Sequence, residues 1–420
     1  MGRFLPVLLR RPSNLISVPA VEGLPVARRA GFLQGDPEPW IPATLARLTP
    51  LPWSDNCDFL LAPAPRPGVE TASLLEILRD LPPALPVCLY ERDWPLWPNL
   101  LLHDGSADSS HDFATPSAGL RAYRSAFRHG GRGQAEALCL LPASRLDHLL
   151  RLDRRAARGL GASSPLLNRR HLETALDFQR SLDVCAEAPG TRALAPARRI
   201  AVIAPHFDDD VIQAGGAILQ GLASGAEVRV IWMTDGARGL PAVGPAESTR
   251  IRKEEARAAM NLLGVQDYHF LDAPEERVSA RGPWIGALRR LLEEFSPERT
   301  HVVWWADNHV DHYETSRALR AAWPQSLAGT RIAAAGTWAP LPGCAVLPLT
   351  PDLRRRKDAA ISAYRSQLDL VDYLRAERGL TRWQARDLHG VDHAECFWEL
   401  PAASYFAAFR QSGADRRVWI

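Results

Sequence analysis

Ala204-Pro205-His206-Phe207-Asp208-Asp209-Asp210 is the stretch that decides the fold reading of this chain. The apolar run Ile200-Ala201-Val202-Ile203 precedes it, and Val211-Ile212-Gln213-Ala214-Gly215-Gly216 follows. That order predicts a buried strand, a sharp turn carrying a histidine and three carboxylates, and then a helix. Further along, His301-Val302-Val303-Trp304-Trp305 leads into His309-Val310-Asp311-His312. Both polar clusters thus stand just past the ends of strands. If those strands are parallel in one sheet, both clusters meet at its carboxyl edge, where open α/β sheets bind ligands.

One aspartate at a helix start is ordinary, since it caps free amides and complements the helix dipole. Three in succession repel one another and call for a counter-cation. His206, Asp209 and His312 supply two imidazoles and a carboxylate, a donor set that suits a catalytic Zn²⁺ with its fourth position left to water. Asp208 is then placed to act as the base, and His309 to act as an acid or to stabilise an oxyanion. Asp235 and Arg238, in the loop Thr234-Asp235-Gly236-Ala237-Arg238-Gly239, are expected at the same edge. They read either as contacts to sugar hydroxyls or phosphate, or as local acceptors in a glycine-rich turn. Arg252 either reaches the pocket or pairs with Glu255 on its own helix. Asp311 joins Asp235, Arg238 and Arg252 as a candidate substrate contact.

These motifs resemble the LmbE-like, or PIG-L, family of zinc-dependent de-N-acetylases. The family pattern His-Pro-Asp-Asp-Glu, a Gly-Gly helix and a distant His-x-Asp-His is met by 206–210, by Ala214-Gly215-Gly216-Ala217 and by 309–312. Thr234-Asp235-Gly236, the Arg252/Glu255 helix ending in Leu263-Gly264-Val265, residues 357–367 and Glu395-Cys396-Phe397 match further family segments, so the likeness covers about 197–400. The resemblance implies a Rossmann-like three-layer α/β sandwich with a mostly parallel sheet. It also implies zinc on His206, Asp209 and His312, Asp208 as general base and His309 as the oxyanion-stabilising histidine. The expected activity is removal of an N-acetyl group from an N-acetylated amino sugar or glycoconjugate, releasing acetate. Two positions depart from the pattern: Phe207 replaces Pro, and Asp210 replaces Glu, one methylene shorter, so that a hydrogen bond made by the Glu is expected to be lost or bridged by water.

Composition sets bounds. At 420 residues, with 46% hydrophobic and 23% charged residues, the chain reads as an ordinary globular protein of two domains. We expect an N-terminal accessory domain over 1–190 and a catalytic domain over 196–420, joined by the Ala-, Pro- and Arg-rich stretch 185–199. A net charge of +2 implies no general attraction to nucleic acid. Of the basic residues only Lys253 and Lys357 are lysines. The six scattered cysteines, without Cys-x-x-Cys spacing, read as reduced buried thiols. No apolar run approaches the roughly 20 residues that span a bilayer, and the N-terminus does not read as a signal peptide, so a cytoplasmic protein is expected. Within 1–190, strands at 58–62 and 86–90 are expected to flank a helix near 69–80, with 135–180 mostly helical. The pairs His103-Asp104 and His111-Asp112 read as solvated loop.

Further along, strand and helix alternate: helices near 249–263, 284–295 and 313–323, and strands at 268–271 and 331–338. His269 and His301, in apolar strands, read as hydrogen-bonded core residues; Trp304 and Trp305 read as core, with Trp305 also a candidate sugar-stacking ring. Three rival readings stand beside the de-N-acetylase. An amidase acting on another acylated amine uses the same groups. A carbohydrate-binding protein needs only a structural metal. A nucleotide-binding domain is disfavoured, because no Gly-x-Gly-x-x-Gly follows the first strand and its acidic turn repels a pyrophosphate.

Overall fold

The computed structural model describes residues 191–307 and 309–412 throughout, and before them separate stretches between 16 and 185. The chain divides into two compact units, Met1–Ala186 and Glu187–Ile420.

In the first unit, β1 (Ile16–Pro19), β2 (Leu60–Pro63), β3 (Pro86–Tyr90), β4 (Leu100–His103) and β5 (Ala135–Pro142) form one sheet in the order β1-β4-β5-β3-β2, with helix α1 at Pro116–Ala126. The strand expected at 86–90 is there, and of the one expected at 58–62 residues 60–62 are strand while 58 and 59 lie outside the described residues; the two strands pair parallel. The helical reading of 135–180 fails at its start. Ala135–Pro142 is a central strand, antiparallel to both β3 and β4. Its Leu138-Cys139-Leu140-Leu141 is a short run apolar on both faces, which periodicity alone does not assign to helix or strand. His103 ends β4; Asp104, His111 and Asp112 lie outside the described residues.

The second unit carries β6 (Arg192–Ala193), β7 (Arg199–Ala204), α2 (Asp209–Ala223), β8 (Glu227–Thr234), α3 (Pro245–Leu263), β9 (Asp267–Ala273), α4 (Trp284–Phe295), β10 (Arg299–Val303), α5 (Val310–Ala322), β11 (Arg331–Ala335), β12 (Ala345–Pro348), α6 (Pro351–Ile361), α7 (Arg365–Leu368), α8 (Tyr373–Gln384), β13 (Ala394–Pro401) and α9 (Ala402–Gln411). Its eight-stranded sheet runs β6-β12-β13-β11-β10-β7-β8-β9. Strands β11, β10, β7, β8 and β9 are mutually parallel, and β13 is antiparallel to β11 and β12. The expected mostly parallel α/β sheet is therefore present.

Chain order reverses between β7 and β10. From β7 the sheet grows through β8 to β9, and on the other side β10 is followed by β11. Such a switch point opens a crevice at the carboxyl ends of the strands. The His206 turn leaves β7 there, and the 304–309 turn leaves its neighbour β10. A Gly264 C-cap in the left-handed region, φ 88°, ends α3 where expected. Cys139, Cys185, Cys344 and Cys396 are free and buried.

Helix α2 is broken at Ala214, whose φ of −144° is not helical. The break frees the amides of the next turn, and buried Glu395 accepts from Gly216 N at 2.7 Å and Ala217 N at 2.9 Å. A side chain at Gly216 would run into Leu349 and Glu395. Lys357, fully buried, donates its Nζ to Glu395 at 2.6 Å and to Ile212 O at 3.0 Å, and forms an ion pair with Glu377 at 2.6 Å. The 357–367 and Glu395-Cys396-Phe397 motifs thus meet behind the helix that starts at the acidic turn.

Candidate metal centre

Three donor atoms converge at the switch point. Asp209 Oδ2 lies 3.1 Å from His206 Nδ1 and 3.0 Å from His312 Nε2, and those two nitrogens are 3.2 Å apart. Donors held about 2.0–2.2 Å from one tetrahedral ion stand about 3.3–3.6 Å apart, so the triangle needs to open only slightly to seat a zinc. The far nitrogen of each histidine meets a carboxylate: His206 Nε2 faces Asp311 Oδ2 at 3.1 Å, and His312 Nδ1 faces Asp307 Oδ2 at 2.8 Å. That is the outer-shell arrangement by which metal-ligating histidines are held in one tautomer. A resident cation therefore fits these residues. His309 brings a third imidazole within 4.8 Å of the other two.

Asp307, which sequence reasoning missed, is the best-anchored member. It is fully buried, and its Oδ1 accepts from the amides of Thr337, Trp338 and Ala339 at 2.8–2.9 Å. The signal was its place in the same turn, two residues before His309. Glu275 was missed as well: it stands 3.8 Å from His206 Nε2 and 3.3 Å from Arg252 Nη1.

Burial opposes charge on His206 and His312, but their carboxylates outweigh it. Asp209 and Asp311 raise His206 to about 10, and Asp209 and Asp307 raise His312 to about 9. Asp209 is held well below the usual carboxylate range, because the two imidazoles overcome its burial.

Asp208 sits at the helix start with φ 121°, outside the ordinary region for a residue with a side chain. Such strain persists where the surroundings enforce it, and it clusters at working sites. Burial, joined by Asp209 and Asp210, pushes the Asp208 carboxyl up to about 8 against the opposing pull of Arg252 and His206. Arg252 Nη2 donates to Phe207 O at 2.8 Å and lies 3.8 Å from Asp208 Oδ2. It points to the site rather than pairing with Glu255, which instead holds Ser366 through N and Oγ.

His309 caps α5: its Nδ1 accepts from Asp311 N at 3.2 Å. That bond fixes the neutral tautomer with the proton on Nε2. Burial and the neighbouring imidazoles push His309 down to about 3. Its ring meets His206 edge-on at 4.6 Å and stacks on Trp338 at 6.2 Å. Trp338 in turn meets Tyr373 edge-on.

The other expected substrate contacts are placed differently. Asp311 is fully buried behind His206 and accepts from Glu276 N at 2.8 Å, so it orients the imidazole and does not face a substrate. Asp235 Oδ1 accepts from Ala237 N and Glu275 N, as a local acceptor in its turn. Arg238 is exposed and pairs with Glu276.

Asp210, expected to lose a hydrogen bond or reach one through water, accepts directly from Trp232 Nε1 at 3.1 Å and Tyr364 Oη at 3.0 Å. Phe207 is fully buried and meets the stacked pair Trp232 and Phe270 edge-on, and a side chain on Gly236 would strike its ring. Trp305 is buried among Trp398, Tyr405 and Phe409, which rules out sugar stacking. His269 is not core: it lies on edge strand β9 and pairs with Asp267. His301 is core but unsatisfied: among the described residues neither ring nitrogen has a hydrogen-bond partner.

Residues 201–323 match the PIG-L family, described as GlcNAc-PI de-N-acetylase. The chain carries a PIG-L family domain. A 1D-myo-inositol 2-acetamido-2-deoxy-alpha-D-glucopyranoside deacetylase of Geodermatophilus obscurus is 33% identical over 90 residues, 19% of this chain and 31% of that protein, so the match spans about a third of the curated relative. Among solved structures, the N,N'-diacetylchitobiose deacetylase of Pyrococcus horikoshii is 25% identical with a TM-score of 0.45, over 50% of this chain and 86% of that one. A conserved protein of Thermus thermophilus is also 25% identical, TM-score 0.42, over 48% and 95%.

Proposed function

We propose that the PIG-L domain is a zinc-dependent hydrolase that removes the N-acetyl group from an N-acetylated amino sugar or glycoconjugate and releases acetate. The observation that carries the reading is the donor triangle of His206, Asp209 and His312, with both histidines backed by carboxylates. The family description and the partial relative's name support a GlcNAc-type substrate.

His206 Nδ1, Asp209 Oδ2 and His312 Nε2 would hold the zinc. Bound there, it supplies Lewis acidity toward a carbonyl and toward water. Asp208, raised by burial into the range where a base works near neutral pH, takes the proton from the attacking water at its carboxylate. It returns that proton to the departing nitrogen, so water and amide become acetic acid and amine, which near neutral pH stand as acetate and ammonium. His309 donates from Nε2 to the carbonyl oxygen as negative charge grows there. Its Nδ1 is engaged by Asp311 N, so it serves as a neutral donor and leaves the acid role to Asp208. Arg252 holds the Phe207 carbonyl and faces Asp208, keeping the base oriented.

The test is acetate release from a panel of N-acetylated hexosaminides and other acyl amines, with metal content measured by elemental analysis. Zinc at one per chain and acetate release from the hexosaminides support the reading. Turnover confined to other acyl amines moves it to an amidase, and a filled four-ligand site without any turnover moves it to a binding protein.

A further inference from the structure

A cavity of about 100 Å³ opens at the other end of the sheet from the acidic turn. Ile200 and Arg299, from the first residues of β7 and β10, and Gln220, Gly221 and Ser224, from the end of α2, line it, with buried His301 in its wall. Ala217 is the small side chain on the cavity's α2 wall, while Gly221 packs directly against Ile200. His301 is fully buried, rests edge-on against Phe397 at 4.6 Å, and neither ring nitrogen has a hydrogen-bond partner among the described residues. Such buried groups are costly unless something satisfies them. Burial and Arg299 push the imidazole down to about 3, so it presents one N–H and one bare nitrogen.

The charge around the cavity is lopsided. Glu399 carries Arg299 Nε at 2.7 Å, Arg331 Nε at 3.0 Å and Arg192 Nη2 at 2.5 Å, three guanidiniums on one carboxylate. Arg299 commits its Nε there, and a guanidinium has further N–H donors in the same plane. No aspartate or glutamate is among the described residues that line the cavity. The volume is several times the roughly 10–15 Å³ that one water needs, room for a four- or five-atom ion.

We propose that the second unit carries a separate site for a small oxyanion, a carboxylate or a phosphate, held in this cavity by His301 and Arg299. The site is built from other residues than the metal centre, and its test does not depend on turnover.

The full chain, stripped of metal and carrying His206→Ala and His312→Ala to silence the metal centre, is titrated calorimetrically with acetate and, separately, with inorganic phosphate. One anion is expected to bind at one per chain. His301→Phe, which removes the donor, and Ala217→Leu, which fills the space, are each expected to weaken binding at least tenfold. Binding of acetate alone assigns a carboxylate site, and binding of phosphate alone a phosphate site. The ¹⁵N resonances of the His301 ring, read in the chain without cavity substitutions, are expected to shift on anion addition whether or not those variants fold. No binding of either anion at millimolar concentration, binding unchanged in both variants, or unmoved His301 resonances overturns the proposal.

Discussion

At the scale of single residues, the cluster of His206, Asp209 and His312 is a proton trap until a cation takes its place. Two imidazoles raised to about 9 and about 10 share Asp209, so zinc must displace protons that the carboxylates hold. Zinc binding is therefore expected to release protons at neutral pH and to tighten as pH rises. Calorimetry in buffers of different ionisation enthalpy reads the proton count. Equal heats in all buffers would contradict the arrangement. Asp307 provides a second check at this scale. Asp307→Asn keeps the shape but weakens the hold on His312 Nδ1, and a loss of about 10–100-fold in zinc affinity is expected. That His206, Asp209 and His312 meet, with Asp208 beside them, was readable from the sequence, because histidine and repeated aspartate past strand ends carry a chemical signature. Asp307 and Glu275 were not, since single carboxylates in loops are common, and only the folded chain shows that three amides converge on Asp307. Asp210 was misjudged for a related reason. Its partners Trp232 and Tyr364 come from distant segments whose approach no local pattern reveals.

At the scale of elements, the buried Lys357 explains how a broken helix stays in register. It joins Glu395, which caps the second half of α2, to Glu377 on α8 and to Ile212 O before the break. Replacing Lys357 by Met leaves buried Glu395 without its cation and Glu377 with Arg354 alone, and a destabilisation of about 3–5 kcal/mol is expected from denaturant unfolding. A loss within a few tenths of a kcal/mol would show the network to be dispensable.

The strand carrying His301 gives a pH prediction. Unfolded histidine titrates near 6.5, whereas His301 in place titrates near 3. Between those values the unfolded chain binds the extra proton. The stability of the neutral form is thus fully present above about 6.5 and is lost as pH falls toward 3. The loss amounts to about 2 kcal/mol at pH 5. His301→Phe should flatten the fall in melting temperature between pH 7 and 5, in buffers free of acetate and phosphate. An unchanged slope would remove His301 from the account. Alternation along the chain made these elements legible from β7 onward. The unsatisfied state of His301 was not legible, because an apolar strand pattern marks burial and says nothing about partners.

At the scale of the whole molecule, the chain's two compact units make metal binding a selective probe. All of the proposed ligands, and the carboxylates behind them, lie within Glu187–Ile420. A ligand that binds only the folded form stabilises it by RT ln(1 + [L]/Kd), about 2.7 kcal/mol at a free concentration a hundred times Kd. That stabilisation belongs to the unit that binds. In scanning calorimetry of the full chain, zinc is thus expected to move one transition upward and leave the other in place. His206→Ala abolishes the shift, while the zinc-free melting of both units stays measurable. If zinc moves both transitions together, the two units unfold as one and the metal stabilises the whole chain. If it moves neither in a chain that binds zinc, the ion is as well held by the unfolded segment as by the crevice, and the preorganised triangle of His206, Asp209 and His312 loses its meaning.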